Sequence, residues 1–85
     1  MDFIKILGLL AGTITSITFI PQVIQIWKTK SAKDISILML GLLITGVCMW
    51  LAYGILVKDV AIIYTNGMVL AMSLIMLYFK FRFNK

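Results

Sequence analysis

Residues 18–25 read TFIPQVIQ and place Pro21 inside an uncharged apolar run that covers residues 6–27. A run of this length can cross a bilayer as a helix. Within that helix Pro21 has no N–H to donate to the carbonyl of Ile17, which costs about 3 kcal/mol in water, and lipid offers the carbonyl no other partner. Gln22 adds a side-chain amide that is costly to leave unpaired in hydrocarbon. Together the two residues predict a functional bend in a membrane-spanning helix.

The composition is that of a membrane protein. The 85-residue chain is 62% hydrophobic, with a mean hydropathy of +1.10. Its charge-free runs, residues 6–27, 35–57 and 60–79, are each long enough to span a bilayer. The first run is too long for a signal peptide, and two further spans follow it. We predict an all-α membrane protein in which residues 1–85 form a single three-transmembrane-helix bundle, with helices over about 4–27, 35–57 and 60–80.

The net charge of +5 is explained by the distribution of cations about a membrane and does not indicate a nucleic-acid partner. Only Lys5 and Lys58 lie at one end of the predicted bundle. The other six cations lie in the first loop and the C-terminal tail: Lys28, Lys30, Lys33, Lys80, Arg82 and Lys85. The positive-inside rule therefore predicts an N-terminus outside and a C-terminus in the cytoplasm.

The residue types present argue against catalysis and metal binding. The chain has one cysteine, Cys48, and no histidine, which excludes an intrachain disulfide and leaves no ligand set for a metal. It also lacks a nucleophile–base pair. We expect neither an enzyme nor a metal or other cofactor.

Helix 1 carries a polar stripe. Thr18, Gln22, Gln25 and Thr29 recur at i, i+4, i+7 and i+11, which places them on one face. In one interpretation the threonines bond their own backbone and the glutamines hold helices together. In the other, this face lines a solute path.

Two further signals concern helix packing and helix ends. Gly8, Gly12 and Ser16 form a small-residue stripe that predicts close approach of another helix. In the first loop, Asp34 and Ser36 are candidate caps for the second helix.

The connection between helices 2 and 3 is only about three residues around Lys58, which predicts a tight antiparallel hairpin. Trp50 and Asn66 are each eight residues from Lys58, so both lie roughly 12 Å below the turn. An indole offers a flat apolar face and one donor, and a carboxamide offers donors and an acceptor. The pair suits a neutral polyhydroxylated solute. In the alternative interpretation Trp50 packs within the bundle or anchors it at the membrane interface, and Asn66 forms hydrogen bonds between helices.

Three helices cannot enclose a solute path alone, so a transporter would require an oligomer. Two-fold symmetry is the commonest solution. Since all copies insert in the same direction, the axis would run along the membrane normal. A transporter reading therefore predicts a parallel homodimer of six helices.

These residues resemble the SemiSWEET family, the bacterial half-size sugar transporters of the SWEET and PQ-loop group. The resemblance rests on chain size, the Pro21-Gln22 dipeptide in helix 1, and the pairing of Trp50 with Asn66. It implies helix order 1-3-2 and transport of a mono- or disaccharide across the bacterial inner (plasma) membrane. It also implies that Trp50 and Asn66 contact the sugar, that Phe19, Pro21 and Gln22 form the hinge, and that Met39 lies at the inner gate.

The resemblance also implies an outer gate that contains Tyr53 and Asp59. Family members often have an arginine near this aspartate, but position 57 is Val57 here. The nearest cation is Lys58, so the partner of Asp59 is Lys58 or another residue.

The charge pattern narrows the predicted mechanism. All charged residues lie outside the three runs, so the spans contain no carboxylate to relay protons. We therefore predict facilitated transport by alternating access without ion coupling. The alternatives are a structural or interaction subunit of the membrane and a transporter of another small neutral solute; the absence of an acidic ring disfavours a cation pathway.

Overall fold

The computed structural model describes residues 2–83, so Lys85 of the predicted inner tail lies outside the described residues. The described residues form four α-helices: α1 (Phe3–Ile17), α2 (Ile20–Thr29), α3 (Ile37–Val57) and α4 (Val60–Phe83). α1 and α2 together make one apolar span, and α3 and α4 make the second and third. The described residues contain no strand, which confirms the predicted all-α membrane fold with three spans.

The first span is interrupted where the proline was expected to act. The predicted single helix over about 4–27 is two helices that are separated by Thr18 and Phe19. The amides of these two residues bond to carbonyls only three residues back, at 3.2 Å to Thr15 and 3.1 Å to Ser16. Pro21 is the second residue of α2, a position where its missing N–H costs little. The break therefore lies just before the proline, because the turn that precedes it cannot continue the α-helical bonding pattern.

The third span lies between the other two. In the part of the chain that the structure describes, no Cα of α1 or α2 lies within 8 Å of one in α3, whereas α4 packs against all three. Glycines permit the closest approaches: a Cβ added at Gly12 would overlap the Thr65 hydroxyl, and one at Gly54 would lie 2.7 Å from a methyl group of Ile62. This arrangement confirms the predicted helix order 1-3-2 and the packing role of the small-residue stripe.

The spans share one apolar cluster at the end next to the first loop, which is called the inner end below after its predicted orientation, and the opposite end is called the outer end. Ile26 of α2, Ala32 of the first loop, Leu40 of α3 and Met76 of α4 are buried together. The Lys80 ammonium donates to the carbonyl of Ala32 at 2.9 Å. The loop after α2 is therefore attached to the end of α4 by packing and by one charged hydrogen bond.

The caps of the helices only partly follow the sequence expectation. Ser36 caps α3 by accepting from the Met39 amide at 3.2 Å, so the other candidate, Asp34, does not cap this helix. At the hairpin, Lys58 adopts a left-handed conformation with φ of 59°. Asp59 then accepts from the Ile62 amide at 3.1 Å within the first turn of α4. The connection between α3 and α4 is therefore only residues 58–59, whereas residues 30–36 connect α2 to α3.

Candidate functional site

Trp50 and Asn66 border the same open groove, in the outer half of the bundle. The groove has a volume of about 340 Å³ and lies over α4 between the first and second spans. Its other lining residues are mostly small, namely Gly8, Ala11, Gly12, Thr15, Ala61, Ile62 and Thr65. The antiparallel hairpin accounts for the meeting of the two residues, since equal distances from the turn give equal depths.

The Trp50 side chain is presented to this space and is not packed away. It is 54% exposed, and its ring meets the Tyr53 ring edge-on with centroids 5.6 Å apart. An edge contact with Tyr53 supports the indole while leaving a face of the ring open. The same residues border a second hollow of about 360 Å³ beside Gly46 and Met49.

Asn66 is partly buried, and only part of the hydrogen-bonding capacity of its side chain is used. Its side-chain nitrogen donates to the carbonyl of Ile62 at 2.9 Å, one turn earlier in α4. Among residues 2–83 its side-chain oxygen accepts no hydrogen bond. This orientation leaves an acceptor and one N–H of the amide available to a hydroxylated ligand.

The predicted inner-gate residues also meet. Phe19 and Gln22 of the first span face Met39 of α3 across a groove of about 340 Å³, with Met76 of α4 among its lining residues. Pro21 does not line this space and borders the neighbouring groove next to the first loop. The first and second spans therefore face each other across α4 at both the outer and the inner level.

The predicted outer-gate residues are not brought together within one protomer. Lys58 and Asp59 border a hollow of about 400 Å³ at the outer end, whereas Tyr53 lies beside Trp50. No ion pair joins Lys58 to Asp59 in the described structure, and the Asp59 carboxylate caps α4 instead. The gating roles of all three residues stay predictions.

One contact was not predicted from the sequence. The hydroxyl groups of Thr13 in α1 and Tyr64 in α4 lie 2.7 Å apart and partly buried. Tyr64 stands next to Thr65 and Asn66 in a polar cluster of the third span, which was the only sequence signal for it. This contact fixes α1 against the wall that carries Asn66.

Comparison with known proteins identifies the family. The family model for the PQ loop repeat matches residues 3–63. The chain belongs to the PQ-loop family. Pro21 and Gln22, the dipeptide inside the matched region, stand at the helix break that the structure shows.

Within the PQ-loop family the similarity extends over almost the whole chain. The chain is 36% identical to the sugar transporter SemiSWEET of Bradyrhizobium diazoefficiens, over 94% of this chain and 93% of that protein. It is 39% identical to the sugar transporter SemiSWEET of Leptospira biflexa, over 89% of each chain. The crystal structure of a bacterial homologue of SWEET transporters superposes with a TM-score of 0.92 at 35% identity and covers 96% of this chain and 99% of that one. These relatives are named as transporters, which confirms the prediction that this PQ-loop chain is not an enzyme.

Proposed function

We propose that this chain is a half-transporter that carries a small sugar, a mono- or disaccharide, across the membrane down its gradient. The relatives that it matches over nearly their full length are named sugar transporters. The observation that carries the proposal is that Trp50 and Asn66 border one open groove. A flat aromatic face suits the C–H surface of a sugar ring, and the free oxygen of the carboxamide accepts from its hydroxyl groups.

The shape of the protomer supports a homodimer. Its Cα atoms extend over 45 × 21 × 14 Å. The long axis matches a bilayer with its headgroups, whereas the two shorter axes are filled by only three spans. Among residues 2–83 no element closes the open side of the Trp50 groove. A parallel partner, related by a two-fold axis along the membrane normal, would close that side and supply a second Trp50 and Asn66.

The attachments of the first span favour movement of its inner half. α1 is held to α4 by the Thr13–Tyr64 hydrogen bond and by the close approach at Gly12. α2 itself meets the other spans through apolar side chains, with Ile26 at the centre, and the charged hydrogen bond from Lys80 holds only the loop that follows it. Apolar contacts without hydrogen bonds can slide at small cost. In the proposed mechanism α2 swings about the break before Pro21 and opens the inner side, while α1 stays fixed.

Transport is proposed to be uncoupled from ions. The three acidic residues are Asp2, Asp34 and Asp59, and all lie outside the apolar runs. A proton relay through the membrane requires an ionisable group at depth. Sugar should therefore move only down its own gradient.

The proposed location is the bacterial inner membrane, with the N-terminus outside. At the outer end two acidic residues, Asp2 and Asp59, balance Lys5 and Lys58, so the full net charge of +5 lies at the other end. This asymmetry is what the positive-inside rule expects of a cytoplasmic face.

Uptake into liposomes tests the function. Vesicles that contain the purified protein should take up labelled glucose or sucrose until the inner and outer concentrations are equal, and empty vesicles should not. Affinity should be weak, about millimolar, because a carrier must also release its load. A folded protein that moves no member of a panel of mono- and disaccharides would contradict the proposal and favour a structural subunit.

Cross-linking tests the dimer. With Cys48, which is exposed, replaced by alanine, an Asn66→Cys variant should form dimers with a bifunctional maleimide reagent in the membrane. The matched control is Leu56→Cys, since Leu56 is 80% exposed at the outer end of α3 away from the groove. Equal cross-linking at both positions would indicate random collision and contradict the shared pocket.

A further inference from the structure

The side chains of two glutamines in α2 have no hydrogen-bond partner within the described part of the chain. Gln22 and Gln25 are exposed and lie about one turn apart on the same face. Their side-chain amides form no hydrogen bond among residues 2–83, whereas the threonines of the same stripe bond to their own helix. Thr18 donates to the Thr15 carbonyl at 2.6 Å, and Thr29 donates to the Gln25 carbonyl at 2.8 Å. The threonines thus bond to their own backbone, as the first interpretation of the stripe expects. The glutamines do not hold helices together within the described protomer, so that part of the interpretation does not apply.

The environment of the glutamines is a groove at the inner end. It has a volume of about 650 Å³ and lies between α2 and the loop that follows it. Such a volume is in the range of small-molecule sites. A carboxamide inside a membrane span is costly to leave without a partner, so this face requires water or a polar ligand.

Asp34 adds a carboxylate to the groove, which Thr29, Ser31 and Lys33 also line. Because Ser36 caps α3, the Asp34 carboxylate is not used by the helix end. It is exposed and forms neither a hydrogen bond nor an ion pair within the described residues. Two carboxamides and a carboxylate together offer the donors and acceptors that hydroxyl groups need.

The glutamine groove is continuous with the proposed path. Gln22 and Asp34 border both this groove and the one that contains Phe19 and Met39. A solute that passes the inner gate therefore enters the glutamine groove next. No aromatic side chain lines this groove, so binding here lacks the stacking that Trp50 offers.

We propose that Gln22, Gln25 and Asp34 form a second sugar-binding site at the inner end of the path, distinct from the site at Trp50 and Asn66. This proposal rests on the proposed function. The inner site would hold sugar hydroxyl groups before or after passage through the gate. It should bind more weakly than the Trp50 site.

Protection of a cysteine tests the inner site. Ser31 lines the groove, and Ser31→Cys is introduced together with Cys48→Ala. Trp50→Ala is added to weaken the outer site. The maleimide labelling rate of residue 31 is then measured with and without glucose or sucrose. We expect the sugar to slow labelling about three-fold or more, and we expect Gln25→Met or Asp34→Ala to abolish this protection.

The matched control is Lys28→Cys, which is exposed in the same region but does not line the groove. Its labelling should not respond to sugar. Ligand-observed NMR of glucose on the Trp50→Ala protein, with and without Gln25→Met, gives the same comparison without an added cysteine.

The outcomes separate the two proposals. If the wild-type protein transports sugar but residue 31 is not protected and NMR shows no Gln25-dependent binding, the inner site is contradicted and the transport function stands. If Gln25→Met instead lowers the yield of cross-linked dimer and protection is absent, the glutamines pair with the second copy. If the wild-type protein moves no sugar, the proposed function itself fails.

Discussion

The hydroxyl groups of Thr13 and Tyr64 lie 2.7 Å apart and join the first span to the third. Thr13 also donates to the carbonyl of Leu9 at 2.8 Å. Because its only hydrogen is used there, Tyr64 is the donor in the pair. The contact is therefore asymmetric: Thr13 keeps a partner without Tyr64, but Tyr64 has no other hydrogen-bond partner in the described structure.

This asymmetry predicts unequal effects of two conservative substitutions. Tyr64→Phe removes the bond and leaves Thr13 satisfied, so we expect a loss of about 0.6 kcal/mol in the free energy of unfolding. Thr13→Val leaves a partly buried phenol unpaired, and we expect a loss of about 1–2 kcal/mol. Unfolding by SDS titration measures both. A larger effect for Tyr64→Phe than for Thr13→Val would contradict the assigned direction of the bond.

Packing at Gly12 gives a second prediction. Gly12→Ala would place a methyl group against the Thr65 side chain, so the first and third spans would have to separate. We expect a loss of about 1–3 kcal/mol in the free energy of unfolding. The control is Gly41→Ala, where a Cβ has no atom within 4 Å, and its thermal stability should be unchanged. Equal midpoints for the two variants in a thermal melt would count against the 1-3-2 packing.

The hinge gives a third prediction. Pro21→Ala restores an amide that can donate to the Ile17 carbonyl, so the break between α1 and α2 should close. We expect sugar flux to fall several-fold, while cross-linking of the dimer stays unchanged. Flux equal to that of the wild-type protein would mean that the break does not act as a hinge.

Much of this fold could be predicted from the sequence because the signals are local or periodic. The three apolar runs set the spans, and counting from Lys58 placed Trp50 level with Asn66, as the shared groove shows. The small stripe predicted close approach without naming its partner, Thr65 on α4. The spacing of residues shows which side chains share a face of one helix, but not which residues of another helix they contact.

Features that depend on the register of one helix against another were not predictable. Thr13 and Tyr64 are far apart in the chain, and neither has a pattern that pairs them. The break also begins at Thr18 and not at Pro21 itself, since the proline disrupts the turn that precedes it. The choice of Ser36 over Asp34 as the cap depends on where the loop reaches α3.

The lack of an ionisable group at depth gives a fourth prediction. Sugar flux into liposomes should be the same with and without an imposed pH gradient, because the acidic residues all lie outside the apolar runs. Uptake of labelled sugar with a proton ionophore present provides the control. A steep dependence of flux on the gradient, lost with the ionophore, would show coupling to protons.

The sugar flux of a Trp50→Ala variant in proteoliposomes tests whether Trp50 binds the transported sugar. Trp50 is exposed in the protomer, so its removal should leave folding and cross-linking intact, while flux should fall about ten-fold or more with the loss of the stacking surface. Trp27→Leu is the matched control, since Trp27 is as exposed but lies at the inner end beside Lys30, 3.3 Å from its ring centroid. We expect flux to be lost when Trp50 is replaced and to be largely retained when Trp27 is replaced. Wild-type flux in the Trp50→Ala protein would contradict this role of Trp50.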